Sequence, residues 1–127
     1  MQRQHSQKNI MIIIGISLMV SGFASYVIIE NLSNDNHFAQ CLSDKGFILY
    51  GAAWCPHCQQ QREIFGASQK YLNYVECSLP DGRSQTAICK SNNIDIYPTW
   101  ELPDGTRLVG MQSLAKLSEV SGCNLNK

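Results

Sequence analysis

The hydrophobic residues of the chain form one long run followed by several short ones. The long run, from Ile10 to Ile29, holds no charged side chain and ends at Glu30. As a helix rising about 1.5 Å per residue it would span roughly 30 Å, the thickness of a bilayer's hydrocarbon core. Arg3 and Lys8 precede the run and acids follow it. This charge asymmetry predicts one transmembrane anchor with a cytoplasmic N-terminus.

A cleaved signal peptide is the alternative interpretation of the same segment. Gly22-Phe23-Ala24 has the small residues of a cleavage site, so cleavage would follow Ala24. The apolar run continues past this site to Ile29, where a signal peptide usually becomes polar, and we therefore favour the uncleaved anchor. Both interpretations export the remainder. The predicted organisation is a cytoplasmic segment 1–9, an anchor 10–29, a polar linker 30–37 and an exported domain 38–127.

Beyond the linker, short apolar runs alternate with amphipathic segments. Pro103-Asp104-Gly105 marks a hairpin turn, and Gly66 interrupts an otherwise helical pattern. The order of elements predicts a single α/β domain, with helices at 37–45, 59–72, 85–90 and 112–121, and strands at 47–50, 74–77, 98–102 and 106–109.

Composition narrows the class of protein. The chain has 127 residues, of which 44% are hydrophobic and 16% charged, with zero formal net charge. This hydrophobic fraction is too high for a disordered chain. The charge balance lacks the basic excess with which nucleic-acid-binding proteins neutralise phosphates, so we predict no nucleic-acid partner. Six cysteines in an exported domain predict disulfides, because oxidising compartments preserve them.

Two of these cysteines form the motif Cys55-Pro56-His57-Cys58, which follows a predicted strand and begins a helix. The helix dipole would stabilise a thiolate on Cys55, and Pro56 suits the first helical turn. A protonated His57 would add positive charge, although it could equally be a solvated side chain without a role. A stabilised thiolate favours the reduced pair and makes its disulfide a stronger oxidant. Cys58 is expected to be less exposed and to resolve mixed disulfides by attacking Cys55.

A structural zinc site is the competing interpretation of a Cys-x-x-Cys pair. Such a site needs two further ligands, usually a second close pair of Cys or His. Cys77 and Cys89 are twelve residues apart, and His5 and His37 lie outside the motif region. We therefore predict a redox dithiol, with no metal and no cofactor.

A second motif follows the Cys55–Cys58 motif about forty residues later. Trp54-Cys55-Pro56-His57-Cys58 after a strand, and Tyr97-Pro98-Thr99 before a hairpin and a last helix, resemble the thioredoxin superfamily. The resemblance implies a thioredoxin fold, in which helices flank a central mixed sheet. In that family a cis-proline loop packs against the dithiol and offers backbone groups to the substrate, and Pro98 with Tyr97 matches this place. Most X–Pro bonds are trans, so the residues alone leave a trans Pro98 open.

A narrower resemblance covers roughly Phe38 to Gly122. It is to the thioredoxin-like domain that accompanies bacterial and plant vitamin K epoxide reductase homologues, and it implies transfer of disulfides between a membrane quinone reductase and exported proteins. The reductase helices are absent here, so that reductase would be a separate protein. Thioredoxins also carry a buried acid where this chain has Leu49, so a water molecule or another group must handle the Cys58 proton. The residues that carry this resemblance are Tyr50–Gln59, Phe65-Gly66, Tyr74–Cys77, Cys89, Tyr97–Trp100 and Ser121-Gly122.

The other four cysteines are predicted to be structural. Cys77 and Cys89 enclose a short loop, and the resemblance supports a disulfide between them worth about 2–3 kcal/mol. A second catalytic relay through this pair is the alternative. Cys41 and Cys123 remain by elimination, and their disulfide would join the two ends of the domain. Because six cysteines allow 15 pairings, this assignment stays open, and either residue could instead bond to a partner.

Together these patterns predict a membrane-anchored thiol–disulfide oxidoreductase that oxidises exported proteins. A separate quinone reductase of the vitamin K epoxide reductase type would re-oxidise it. The expected location is a bacterial inner membrane with the catalytic domain in the periplasm, or the thylakoid lumen in a photosynthetic organism. The alternatives are a reductase or isomerase for exported cysteines, for example in haem attachment, and a non-enzymatic metal-binding or scaffold module.

Overall fold

The computed structural model describes residues 36–125. The predicted anchor at 10–29 and most of the predicted linker lie outside this range, so the proposed domain boundaries stay predictions. Among the described residues, no helix combines the length and the apolar character needed to cross a bilayer.

The α-helices and strands follow one another in the predicted order. A 3-10 helix, Gly66–Tyr71, lies between the second helix and the second strand. The elements are α1 (36–44), β1 (Ile48–Gly51), α2 (Pro56–Glu63), β2 (Tyr74–Glu76), α3 (Ala87–Ser91), β3 (Thr99–Glu101), β4 (Arg107–Val109) and α4 (Leu114–Ser121).

The four strands form one mixed sheet in the order β2-β1-β3-β4. β1 runs parallel to β2, with Leu49 beside Tyr74, and antiparallel to β3, with Leu49 beside Trp100. β3 and β4 form the predicted antiparallel hairpin. This mixed sheet, flanked by helices, is compatible with the predicted thioredoxin-like fold.

The main hydrophobic core joins α1 and α4 to the sheet. Its buried side chains come from distant parts of the chain, so their burial holds the ends of the domain against its centre. They include Phe38 and Leu42 of α1, Leu49 of β1, Phe65, Trp100 of β3 and Leu117 of α4. A second cluster surrounds Tyr50 and Ile94, and a small third cluster consists of Ala52, Cys55 and Cys58 with Tyr97 against it.

The predicted helix at 59–72 is wrong as a single element. α2 ends at Glu63, and Gly66, the first residue of the 3-10 helix, adopts a φ of +53°. Glycine populates this left-handed region without steric cost, so the chain changes direction there. Ile64 is 40% exposed, whereas Phe65 and Ser68 are buried.

Candidate active site

The free cysteines of the described residues, Cys55 and Cys58, lie where β1 leads into α2. Cys55 is the N-cap of α2, and its sulfur accepts a hydrogen bond of 3.4 Å from the backbone N–H of Cys58. Pro56 is the first residue of the helix and needs no intrahelical partner for its nitrogen. The Cys55 sulfur therefore lies at the positive, N-terminal end of the helix dipole.

The loop before β3 covers the same sulfur from the other side. The Tyr97–Pro98 peptide bond is cis, and Pro98 is buried. The Cys55 thiol donates a hydrogen bond of 3.8 Å to the Tyr97 carbonyl oxygen. The structure thus brings Cys55, Cys58, Tyr97 and Pro98 together, although 42 residues separate Cys55 from Tyr97 along the chain.

His57 lies beside the pair on the first turn of α2. Its side chain is exposed, as is that of Pro56. This exposure agrees with both sequence-based interpretations of His57, as a source of positive charge and as a solvated side chain.

The two sulfurs differ in their surroundings. Cys58 is 1% exposed and Cys55 6% exposed. Burial raises the pKa of the Cys58 thiol to about 12, and the hydrogen bond with Cys55 adds to the increase. Cys58 is therefore a neutral thiol near pH 7, and its proton has to leave whenever its sulfur forms a bond.

Gly51, the last residue of β1, leaves room for the Cys58 sulfur. A Cβ atom at this position would lie 3.2 Å from Cys58 Sγ and 2.9 Å from the hydroxyl oxygen of Tyr74. A side chain at position 51 would therefore have to displace the Tyr74 ring or the Cys58 sulfur. The missing side chain allows a phenol and a thiol to approach the same point.

Glu76 holds the Tyr74 phenol in place. The Tyr74 hydroxyl donates a hydrogen bond of 3.0 Å to Glu76 Oε2, while Oε1 accepts from the N–H groups of Ala53 and Ser78 at 3.0 and 2.9 Å. Burial raises the pKa of Glu76, but the hydrogen bonds from Ser78, Ala53 and Tyr74 outweigh it, and the net pKa lies below the ordinary value. Glu76 is therefore an ionised acceptor at neutral pH.

Sequence reasoning did not identify Tyr74 and Glu76 as site residues. Alternate residues of a strand point to the same face, so Tyr74 and Glu76 share a side of β2. That signal was present in the sequence. What the sequence lacks is the strand register that puts Glu76 beside Gly51 and so brings the pair to the dithiol.

The rim of the site is Trp54, an exposed aromatic residue on a loop that hydrogen bonds hold in place. The Ala53 carbonyl accepts a hydrogen bond of 2.8 Å from the Gln59 amide, while its N–H binds Glu76. The adjacent Trp54 is 56% exposed and meets the Tyr97 ring edge-on at 6.2 Å. A groove of about 470 Å³ lies between Trp54 and Leu79, and Glu76 lines it.

The other four cysteines form two disulfides that join the same residues the sequence analysis paired. Cys77, just after β2, is bonded to Cys89 of α3, with Cα atoms 5.5 Å apart. Cys41 of α1 is bonded to Cys123 after α4, with Cα atoms 6.0 Å apart. Cys55 and Cys58 are therefore the cysteines left for exchange chemistry.

The side chains that a zinc site would need are not assembled around the dithiol. Within 36–125, no group of three or more His, Cys, Asp or Glu side chains is arranged to hold a metal ion. Cys77 and Cys89 are bonded to each other, and His5 lies outside the described residues.

Comparison with known proteins adds one informative relative. No family model matches the chain. The chain is similar to the Arabidopsis thaliana protein named thiol-disulfide oxidoreductase LTO1, with 43% identity over 94 residues. The match covers 70% of this chain and 24% of the relative, so the chain spans about a quarter of that protein. The similarity supports the prediction that the chain is a protein disulfide oxidoreductase.

Proposed function

We propose that the chain is a membrane-anchored, extracytoplasmic thiol–disulfide oxidoreductase with a thioredoxin fold, which oxidises exported proteins. The observation that carries the proposal is the free Cys55–Cys58 pair at the start of α2, with Cys55 Sγ 3.8 Å from the Tyr97 carbonyl. Similarity to a thiol-disulfide oxidoreductase supports the activity. The uncharged run Ile10–Ile29 supports the anchor.

In the oxidised protein, Cys55 is the sulfur that a client attacks. A client thiolate bonds to Cys55 Sγ, the Cys55–Cys58 bond breaks, and Cys58 takes the electron pair and a proton. A second client thiolate then attacks the client sulfur of this mixed disulfide, and Cys55 leaves as a thiolate. The client gains a disulfide and the Cys55–Cys58 pair is reduced.

The Tyr97-Pro98 loop is the proposed docking site for the client backbone. Tyr97 contacts the cluster of Ala52, Cys55 and Cys58, and its carbonyl oxygen lies beside the attacked sulfur. An extended client segment passing this loop would bring its own cysteine to Cys55. Trp54, exposed and edge-on to Tyr97, would border the segment.

A separate membrane quinone reductase of the vitamin K epoxide reductase type is the proposed oxidant of the reduced pair. Its disulfide would accept two electrons from Cys55 and Cys58 by the same exchange chemistry. The proposed location is the periplasmic face of a bacterial inner membrane, or the lumenal side of a thylakoid. The resemblance of residues 38–122 to domains that accompany such reductases supports this partner.

Trapping of mixed disulfides tests the activity. In cells that express the full chain with Cys58→Ala, Cys55 can still bond to a disulfide of an exported protein, but Cys58 can no longer attack the resulting mixed disulfide, so these adducts should accumulate. Non-reducing gels and mass spectrometry would detect these adducts. The matched control, Cys55→Ala with Cys58→Ala, should show none. If Cys58→Ala traps no exported protein, the enzymatic proposal is wrong.

The reduction potential of the Cys55–Cys58 pair then decides the direction of electron flow. A value above roughly −200 mV supports oxidation of clients, whereas a value near the thioredoxin value of about −270 mV supports the reductase alternative. Stoichiometric metal retained through purification, together with failed trapping, would favour the metal-binding alternative.

A further inference from the structure

The Cys58 proton needs a defined path in and out of the protein. Burial keeps Cys58 neutral when the pair is reduced, so every cycle adds one proton to its sulfur and removes one. The neighbouring inward position on β1 is Leu49, which is fully buried in the main core and exchanges no proton. Leu49 therefore offers no path for this proton.

β2 supplies a hydroxyl group at the required place. The Tyr74 hydroxyl oxygen and Cys58 Sγ both lie within 3.2 Å of the point where a Cβ of residue 51 would be. Gly51 leaves that point unoccupied by any side chain of its own. The phenol oxygen and the thiol sulfur therefore lie no more than about 6 Å apart beside the end of β1.

The hydroxyl is oriented for proton exchange. It donates to Glu76 Oε2 at 3.0 Å, so its remaining lone pairs are available to accept a proton. Glu76 is fixed in turn by the N–H groups of Ala53 and Ser78. The guanidinium of Arg62, from the same helix as Cys58, lies 4.8 Å from the centre of the Tyr74 ring and restrains it.

Glu76 also connects this hydrogen-bond network to solvent. Its side chain is half-buried and lines the open groove beside Trp54 and Leu79. A proton that reaches the Glu76 carboxylate can therefore pass to water without crossing the core.

We propose that the Tyr74 hydroxyl exchanges the proton of Cys58, and that Glu76 is the positioning residue that aligns this hydroxyl and connects it to solvent. This inference rests on the proposed oxidoreductase function. The titratable and charged groups around the Cys58 sulfur are Cys55, Tyr74 and Glu76, with Arg62 against the phenol ring.

The exchange balances in both directions of the cycle. When a client breaks the Cys55–Cys58 bond, Cys58 takes the electron pair and receives the Tyr74 proton, which solvent replaces through Glu76. When the pair is re-oxidised, the Cys58 proton moves to the Tyr74 oxygen while the Tyr74 proton moves to Glu76 and then to water. The freed Cys58 electron pair forms the new S–S bond, and neither Tyr74 nor Glu76 is changed overall.

Tyr74→Phe tests the proposal, because it removes the hydroxyl and keeps the ring. The reduced full chain is mixed with excess oxidised glutathione, quenched in acid and analysed by mass spectrometry. This experiment separates the formation of the glutathione adduct on Cys55 from its resolution by Cys58. We expect Tyr74→Phe to resolve the adduct about tenfold more slowly than wild type near pH 7. We expect the rate of adduct formation to be unchanged.

The pH profile distinguishes proton exchange from a merely structural role. Without Tyr74, resolution should follow the thiolate fraction of Cys58 and rise about tenfold per pH unit. Wild type should show a shallower dependence. Glu76→Gln keeps an oxygen that can accept from the N–H groups of Ala53 and Ser78 but removes the negative charge. It should shift the pH profile in the same direction as Tyr74→Phe. If Tyr74→Phe does not fold, the pH profile of Glu76→Gln tests the proposal in its place. Tyr71→Phe, on the 3-10 helix, is the matched control and should behave as wild type.

The outcomes also separate this proposal from the proposed function. A wild-type rate and a wild-type pH profile in folded Tyr74→Phe would overturn the proton path while leaving the oxidoreductase intact. Wild-type protein that forms no adduct on Cys55 would instead overturn the function on which the path depends.

Discussion

Cys55 and Cys58 are three residues apart, yet their sulfurs have different partners. The Cys55 sulfur binds backbone groups, the N–H of Cys58 and the carbonyl of Tyr97. The Cys58 sulfur lies deeper, behind Gly51 and near the phenol of Tyr74. Two side chains of the same chemistry therefore suit different steps of the proposed reaction, Cys55 the exchange with clients and Cys58 the resolution.

The raised pKa of Cys58 links the stability of the reduced protein to pH. Because the folded pKa of about 12 exceeds the unfolded value of about 8.5, Cys58 contributes its full stabilisation only below the unfolded value. That contribution is lost as the pH rises toward the folded value. We expect the free energy of unfolding of the reduced protein to fall more steeply between about pH 8 and about pH 10 than that of reduced Cys58→Ala, as measured by urea denaturation.

The oxidised protein is the internal control for this prediction. In that state Cys58 has no titrating thiol, so its unfolding free energy should lack the additional pH dependence. Equal slopes for reduced wild type and reduced Cys58→Ala would contradict the link between burial and protonation.

At the scale of secondary structure elements, the hydrophobic pattern predicted the order of four helices and four strands but not the separate 3-10 helix after α2. It failed where a polar side chain is buried. Gln61 of α2 is 0% exposed, because its amide donates to the Gln112 carbonyl at 3.1 Å and accepts from the Gln112 N–H at 2.6 Å. These partners lie 51 residues away, so no local periodicity could assign Gln61 to the interior.

The residues of the candidate site also divide into those that the sequence could predict and those that it could not. Cys55, Cys58 and Pro98 could be predicted, because a short motif and a resemblance identify them. Tyr74 and Glu76 could not, because their relation to the dithiol depends on the register of β2 against β1. A sequence read along the chain gives the composition of each strand but not which residues of two strands lie side by side.

At the scale of the whole molecule, the two disulfides constrain the chain to different degrees. Cys41–Cys123 joins residues separated by 82 positions, whereas Cys77–Cys89 joins residues separated by 12. A crosslink restricts the unfolded chain more strongly when it closes a longer loop. The first disulfide therefore holds the domain together, and the second fixes only the segment between β2 and α3.

Removing each disulfide should reveal this difference. On the chain-entropy argument, replacing Cys41 and Cys123 by alanine should cost about 4.5 kcal/mol of unfolding free energy, and replacing Cys77 and Cys89 about 3 kcal/mol. Urea denaturation of the two variants would measure both losses. The potential of Cys55–Cys58 should stay unchanged in the Cys41/Cys123 variant. Equal losses, or a larger loss for the shorter loop, would contradict the argument.

The two structural disulfides have a consequence for how the protein is made. Each newly synthesised chain must give up four electrons to form them, and two more to join Cys55 to Cys58, before that pair can accept two electrons from a client. The proposed donor of disulfides therefore begins as a recipient of them. Mature copies offer the same exchange chemistry that immature copies require. The supply of active protein therefore depends on an oxidant that was present before the first mature copy.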